Sequence, residues 1–182
     1  AGGDVISMCI GQPFAPAPRA AREAAAAAAQ RGRIGYTAAP GMPALRARIA
    51  RHYGEHYGIE PDPARVFVTT GSSAGFMLSF IACFDEGARV AIPSPGYPAY
   101  RNILRALSLE PVEIETSAQD RWVITPELLA DAHARKPLQG LLVANPNNPN
   151  GTMMQPDAST RLVGAARERG IRFISDEIYH AL

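Results

Sequence analysis

Between residues 66 and 176, short β-rich or apolar runs alternate with helical stretches, and a cluster of turn residues cuts off each run. That alternation leaves few folds open. Strands joined through helix-length connections pair in parallel, and a mainly parallel sheet needs helices over both faces. Strands are expected at 66–69, 89–92 (ended by Pro93), 111–115, Gly140–Ala144 and 171–175. Helices are expected at 74–83, 98–107, 126–136 with Thr125 as cap, and 156–169 closed by Gly170. Upstream, an Ala-rich stretch at 18–31 reads as a helix. So does Pro43–Tyr57, which sets Leu45, Ile49 and Tyr53 four apart. Residues 5–10 form a short extended segment ahead of Gly11-Gln12-Pro13. The fold class is α/β.

Composition excludes several classes of function. With 182 residues and a net charge of +1, the chain has room for a core and no basic stripe for nucleic acid. The longest apolar stretch, 74–84, is too short to span a bilayer, so no membrane partner is expected. No charged start precedes an apolar run, so no signal peptide is expected. Cys9 and Cys83 sit in apolar surroundings and read as reduced core residues, which fits the cytoplasm. His52 and His56 are four apart but lack a Glu directly after the first His, so no metal site is expected. Lys136 is the only lysine beside 17 arginines.

In open α/β sheets, ligands bind beyond the carboxyl ends of the strands. Every unusual cluster in this chain sits at such an end. Thr70-Gly71-Ser72-Ser73 opens a helix, where free N–H groups, a partial positive charge and two hydroxyls suit a phosphate. The same residues also serve ordinary helix capping. Ser94-Pro95-Gly96-Tyr97-Pro98 is a stiff turn that projects Tyr97, either to stack on a flat ligand or to pack on its own prolines. Asn145-Pro146-Asn147-Asn148-Pro149-Asn150-Gly151 is the most specific stretch: its prolines fix the turn, and its amides can hold the local backbone or a ligand oxygen. Asp176 and Tyr179 follow the last strand. The carboxylate suits a ligand cation and the phenol an oxyanion, although Asp176 also suits an N-cap.

Taken in order, these residues resemble the fold-type I, pyridoxal-5′-phosphate (PLP) dependent class I/II aminotransferases. The signs are Gly11-Gln12-Pro13, Tyr36 with Gly41 and Leu45-Arg46, Gly71-Ser72-Ser73, Pro95-Gly96-Tyr97 with Tyr100, the NPNNPxG turn, and Asp176-Glu177-Ile178-Tyr179. The resemblance implies a three-layer αβα PLP-transferase large domain with a mainly parallel sheet, incomplete here, plus an N-terminal arm and helix of the small domain. The implied division is 1–35 for arm and helix and 36–182 for the large domain. It also implies cofactor roles. Gly71, Ser72 and Ser73 would hold the phosphate and Tyr97 would stack on the ring. Asn148 and Tyr179 would donate to the ring's O3′, and Asp176 would pair with the protonated ring nitrogen. Tyr36 would reach the phosphate of a neighbouring subunit, which implies a homodimer. Gly11 would lie near the substrate.

The chain also departs from the family. Position 150 is Asn where the family commonly has Thr. The Schiff-base lysine of the family follows the Asp-x-x-Tyr motif by a few dozen residues, and Lys136 is in the wrong place to replace it. No catalytic residue is therefore assigned in this chain. The expectation is the amino-terminal part of a longer protein, inactive alone, whose two further strands would pair between 66–69 and Gly140–Ala144. The implied reaction moves an amino group between an L-amino acid and a 2-oxo acid. The same cofactor site also serves β-lyases, decarboxylases and aminocyclopropane-carboxylate synthases, and a non-catalytic PLP-binding regulator domain is a further alternative.

Overall fold

Proline fixes φ near the helical value and has no N–H to leave unpaired, so it favours the first turn of a helix. Four helices begin on one: α2 (Pro43–Tyr57), α4 (Pro98–Ala106), α5 (Pro126–Arg135) and α6 (Pro156–Glu168). The computed structural model describes residues 15–32 and 34–180. Gly11, Cys9 and the expected extended segment at 5–10 lie outside them. The remaining elements are α1 (Arg19–Gln30), α3 (Ser72–Cys83), a short 3-10 helix (Pro63–Arg65) and strands β1 (Arg89–Ser94), β2 (Glu110–Glu115), β3 (Gly140–Ala144) and β4 (Arg172–Asp176).

The chain divides into two compact units, Ala1–Phe67 and Val68–Leu182. In the first, α1 buries no residue, whereas α2 buries Ala50. Gly58, at φ +65°, ends α2 in the left-handed region. The guanidinium Nε of Arg46 on α2 donates to the Val66 carbonyl at 2.8 Å, tying the helix to the end of the unit.

The second unit is a four-stranded parallel sheet in the order β2-β1-β3-β4. Successive side chains of a strand point to opposite faces, and the core follows that rule. Val90 and Ile92 of β1 and Leu142 of β3 join Phe76, Phe80, Tyr100 and Leu104 of α3 and α4. Ala91, Leu141 and Val143 join Leu129, Leu162 and Ala166 of α5 and α6 on the other face. The result is the expected αβα layering. All five residues of β3 are buried, as befits the strand flanked on both edges. Gly140 opens it because a Cβ there would lie 2.3 Å from the Phe84 ring.

Three expectations are corrected. Residues 66–69 form no strand: no strand runs alongside them among the described residues, and Phe67 and Val68 are exposed. Strand β1 does not stop before Pro93 but runs to Ser94, in register with Glu115. The carbonyls of Ala88 and Ser94 accept from the β2 side, and that of Arg89 from the β3 side. By alternation Pro93 therefore faces β3, which pairs with β1 only at Val90 and Ala91, and its missing N–H interrupts no ladder bond. Finally, β3 has β1 on one edge and β4 on the other, so no further strand fits beside Gly140–Ala144. The open edge on that side of the sheet belongs to β4.

Candidate active site

All parallel strands present their carboxyl ends to the same side, so the turns that leave β1, β3 and β4 converge. The turn after β1 is compact because Gly96 allows it: a Cβ there would stand 2.3 Å from the Pro93 carbonyl oxygen. Tyr97 follows, partly exposed, and α4 starts at Pro98. One helical turn on, Tyr100 points inward and is buried. The Tyr97 and Tyr100 rings meet edge to face at 5.3 Å, and Phe76 of α3 meets Tyr100 in the same way at 5.2 Å.

The turn after β3 is held by its own amides. Asn145 Oδ1 accepts from the Met154 N–H at 2.9 Å. Asn147 is buried and donates through Nδ2 to the Trp122 carbonyl at 3.2 Å, while its backbone N–H reaches the Thr152 carbonyl at 2.8 Å. Gly151, at φ +67°, closes the turn with an N–H on the Asn147 carbonyl at 2.8 Å. With Asn145 and Asn147 spent on the backbone, Asn148 is free to face outward. Its Nδ2 donates to the Tyr179 hydroxyl at 3.1 Å. Beside that pair opens a cleft of about 330 Å³ lined by Pro146, Asn147, Asn148, Pro149, Gly151 and Tyr179. Asn150 Nδ2 and Thr152 Oγ1 are buried without a partner among the described residues.

Asp176 ends β4 and is buried. Its Oδ1 accepts from the Ile178 N–H at 3.0 Å, which shapes the turn that carries Tyr179. Its Oδ2 accepts from the Tyr100 hydroxyl at 2.5 Å. Burial, and then this bond, push the Tyr100 phenol far above its ordinary range, so it remains a donor. The Asp176 carbonyl also accepts from the Asn145 N–H at 3.0 Å, locking the β3 and β4 turns together. At the start of α3, Gly71 adopts φ +85°, and no side chain caps the first turn. Gly71, Ser72 and Ser73 are all exposed.

The structure thus brings Asn148 to Tyr179 directly, and Tyr97 to Asp176 through Tyr100. Tyr36 belongs to the first unit, where it is fully exposed. Sequence reasoning missed the part played by Tyr100. It stands 76 residues from Asp176, and only its place one turn after Tyr97 hinted at a shared site.

A family model described as "Aminotransferase class I and II" matches residues 3–182. The chain belongs to the class I and II aminotransferases. Among curated relatives, a "Valine--pyruvate aminotransferase" of Mycobacterium tuberculosis is 47% identical over 180 residues, covering 99% of this chain and 46% of its own length. An "Aspartate aminotransferase" of Geobacillus stearothermophilus is 31% identical over 182 residues, again covering 46% of its length. A crystal structure of an aminotransferase from Mycobacterium tuberculosis superposes with a TM-score of 0.90 at 48% identity, over 95% of this chain and 44% of that one. This chain therefore spans about half the length of the curated aminotransferases it matches. Among the described residues, no helix is long and apolar enough to cross a membrane.

Proposed function

We propose that the protein is a PLP-dependent aminotransferase of the cytoplasm, moving an amino group between an L-amino acid and a 2-oxo acid, and that these residues form its cofactor site. The observation that carries the reading is a buried carboxylate, Asp176, beside an outward-facing amide–phenol pair, Asn148 and Tyr179, at one end of a parallel sheet. The donor set suits the cofactor. The uncapped first turn of α3, with Ser72 and Ser73, takes a phosphate. Asn148 Nδ2 and the Tyr179 hydroxyl donate to a ring oxygen, and Tyr97 lies against the ring face. Asp176 pairs with the protonated ring nitrogen. Each carboxylate oxygen has two lone pairs, so its bonds to Tyr100 and Ile178 leave room for this one. When bound, the cofactor supplies an electron sink for negative charge at the substrate's α-carbon. Asp176 sustains that sink by holding the ring nitrogen positive.

Other roles fall to the first unit. Tyr36 is assigned to the phosphate held by a second copy, making the functional unit a homodimer; the substrate role expected of Gly11 falls outside the described residues. Lys136 has no part in the chemistry: its Nζ pairs with Glu110 at 3.2 Å, at the amino ends of the strands. The 182 residues alone are expected to show no turnover.

The test is an assay of the full-length protein with PLP. The 47% identical relative makes valine with pyruvate the first pair to try. Visible absorbance from bound cofactor together with alanine formation from pyruvate supports the reading. Release of ammonia or CO₂ instead would assign the protein to lyase or decarboxylase chemistry, and cofactor binding with no turnover of any amino acid to the regulator class.

A further inference from the structure

Two donors already hold Asp176 before any ligand is considered. The Ile178 N–H takes Oδ1 at 3.0 Å and the Tyr100 hydroxyl takes Oδ2 at 2.5 Å. The first bond is local and follows from the turn. The second crosses the structure from α4 to the end of β4. Tyr100 is itself fixed: it is 1% exposed and packs edge to face against both Phe76 and Tyr97. A carboxylate at a strand end can rotate about its last bond, and one donor on each oxygen stops that rotation.

We propose that Tyr100 is a positioning residue: its hydroxyl fixes the plane of the Asp176 carboxylate, and its ring sets Tyr97, so that one side chain aligns both the charge partner and the stacking face of the cofactor site. This inference rests on the PLP reading above. It places the organising element of the site in the helix after β1, outside the groups that touch the cofactor. A phenol suits the task. It donates one strong bond to a charged acceptor, and its body is apolar enough to be buried in the α3–α4 layer. Phe would pack in the same place but would leave Oδ2 without its donor.

The test uses the full-length protein and compares wild type, Tyr100→Phe, Asp176→Ala and the double variant by titrating apoprotein with PLP and following visible absorbance. Tyr100→Phe should raise the cofactor dissociation constant about tenfold or more, in line with loss of a hydrogen bond to a charged group. In the Asp176→Ala background the same substitution should change it less than twofold, because the hydroxyl then has no carboxylate to orient. An equal effect in both backgrounds, or none in either, would overturn the proposal. Tyr100→Leu serves as a second variant if Tyr100→Phe gives no cooperative melt; because it also removes the ring that sets Tyr97, its effect should shrink but not vanish in the Asp176→Ala background. Wild-type protein that takes up no PLP would overturn the cofactor reading and this inference together. Normal wild-type uptake with an unaffected Tyr100→Phe would overturn this inference alone.

Discussion

The two ends of the same four strands are both polar, yet they are built differently. At the amino ends, Arg89 Nε meets Glu110 at 2.9 Å, and Lys136 meets the other oxygen of the same carboxylate at 3.2 Å. Arg89 also donates to the Lys136 and Pro137 carbonyls, and its N–H reaches the Gln139 side chain at 2.8 Å. These groups satisfy one another at the surface. At the carboxyl ends, the turn amides are spent on the backbone, so that Asn148, Tyr179 and Asp176 are held still with bonding capacity left over. Room does not distinguish the two ends. A hollow of about 630 Å³, lined in part by His133, Arg169 and Arg172, opens at the amino ends and is larger than the cleft beside Asn148. What separates them is that Arg89, Glu110 and Lys136 are spent on one another, whereas Asn148, Tyr179 and Asp176 are held with bonding capacity to spare.

The sharpest way to break this comparison is Asp176→Ala. On the proposed cofactor reading, removing this carboxylate should lower kcat/KM of the full-length protein for amino transfer by roughly a hundredfold to a thousandfold, the scale for loss of an electrostatic contact made at the reacting charge. A drop of less than fivefold would mean that the carboxyl end is no more specialised than the other. Next in size is Asn148→Ala, for which cofactor affinity should fall about tenfold or less, as for one neutral hydrogen bond. Equilibrium dialysis against PLP measures it.

A third effect concerns stability. The Tyr100 phenol titrates far above its ordinary value of about 10 in the folded protein, through burial and its bond to Asp176. Its contribution is therefore complete below pH 10 and is lost as pH rises from there toward the folded value. Tyr100→Phe should be less stable at neutral pH and should show a shallower alkaline decline in urea unfolding. Parallel declines would contradict the structure.

The smallest effect belongs to the amino end. Arg89, and then Lys136, hold the Glu110 carboxyl below the usual range. Whatever stability this gives is present above the ordinary carboxylate pKa and lost as pH falls through the lowered one. Glu110→Gln should therefore cost a little at neutral pH, nothing in strong acid, and leave cofactor affinity and turnover unchanged. A loss of activity would show that the two ends are coupled.

Much of this was legible in the residues, for local reasons. Prolines at first turns fixed where α2, α4, α5 and α6 begin, and an unbroken apolar run marked the central strand β3. The order of residues at strand ends pointed to the candidate site, where Asn148 and Tyr179 do meet. Pairing was less legible, because it depends on what lies alongside. Residues 66–69 have the composition of a strand but no neighbouring strand among the described residues, and the β4 edge was misplaced onto β3 for the same reason. The bond from Tyr100 to Asp176 depends on how a helix crosses the sheet, which spacing along the chain does not record.

Lys136 has one more consequence. It is the only lysine among these 182 residues, its side chain is mostly exposed, and it stands at the opposite pole of the sheet from Asn148 and Tyr179. Strands of five to six residues set the two poles roughly 15–20 Å apart. Within this chain, amine-directed chemistry therefore has a single side-chain address. A fluorophore attached there would sit within energy-transfer range of any chromophore at the far pole, without touching a group that holds it.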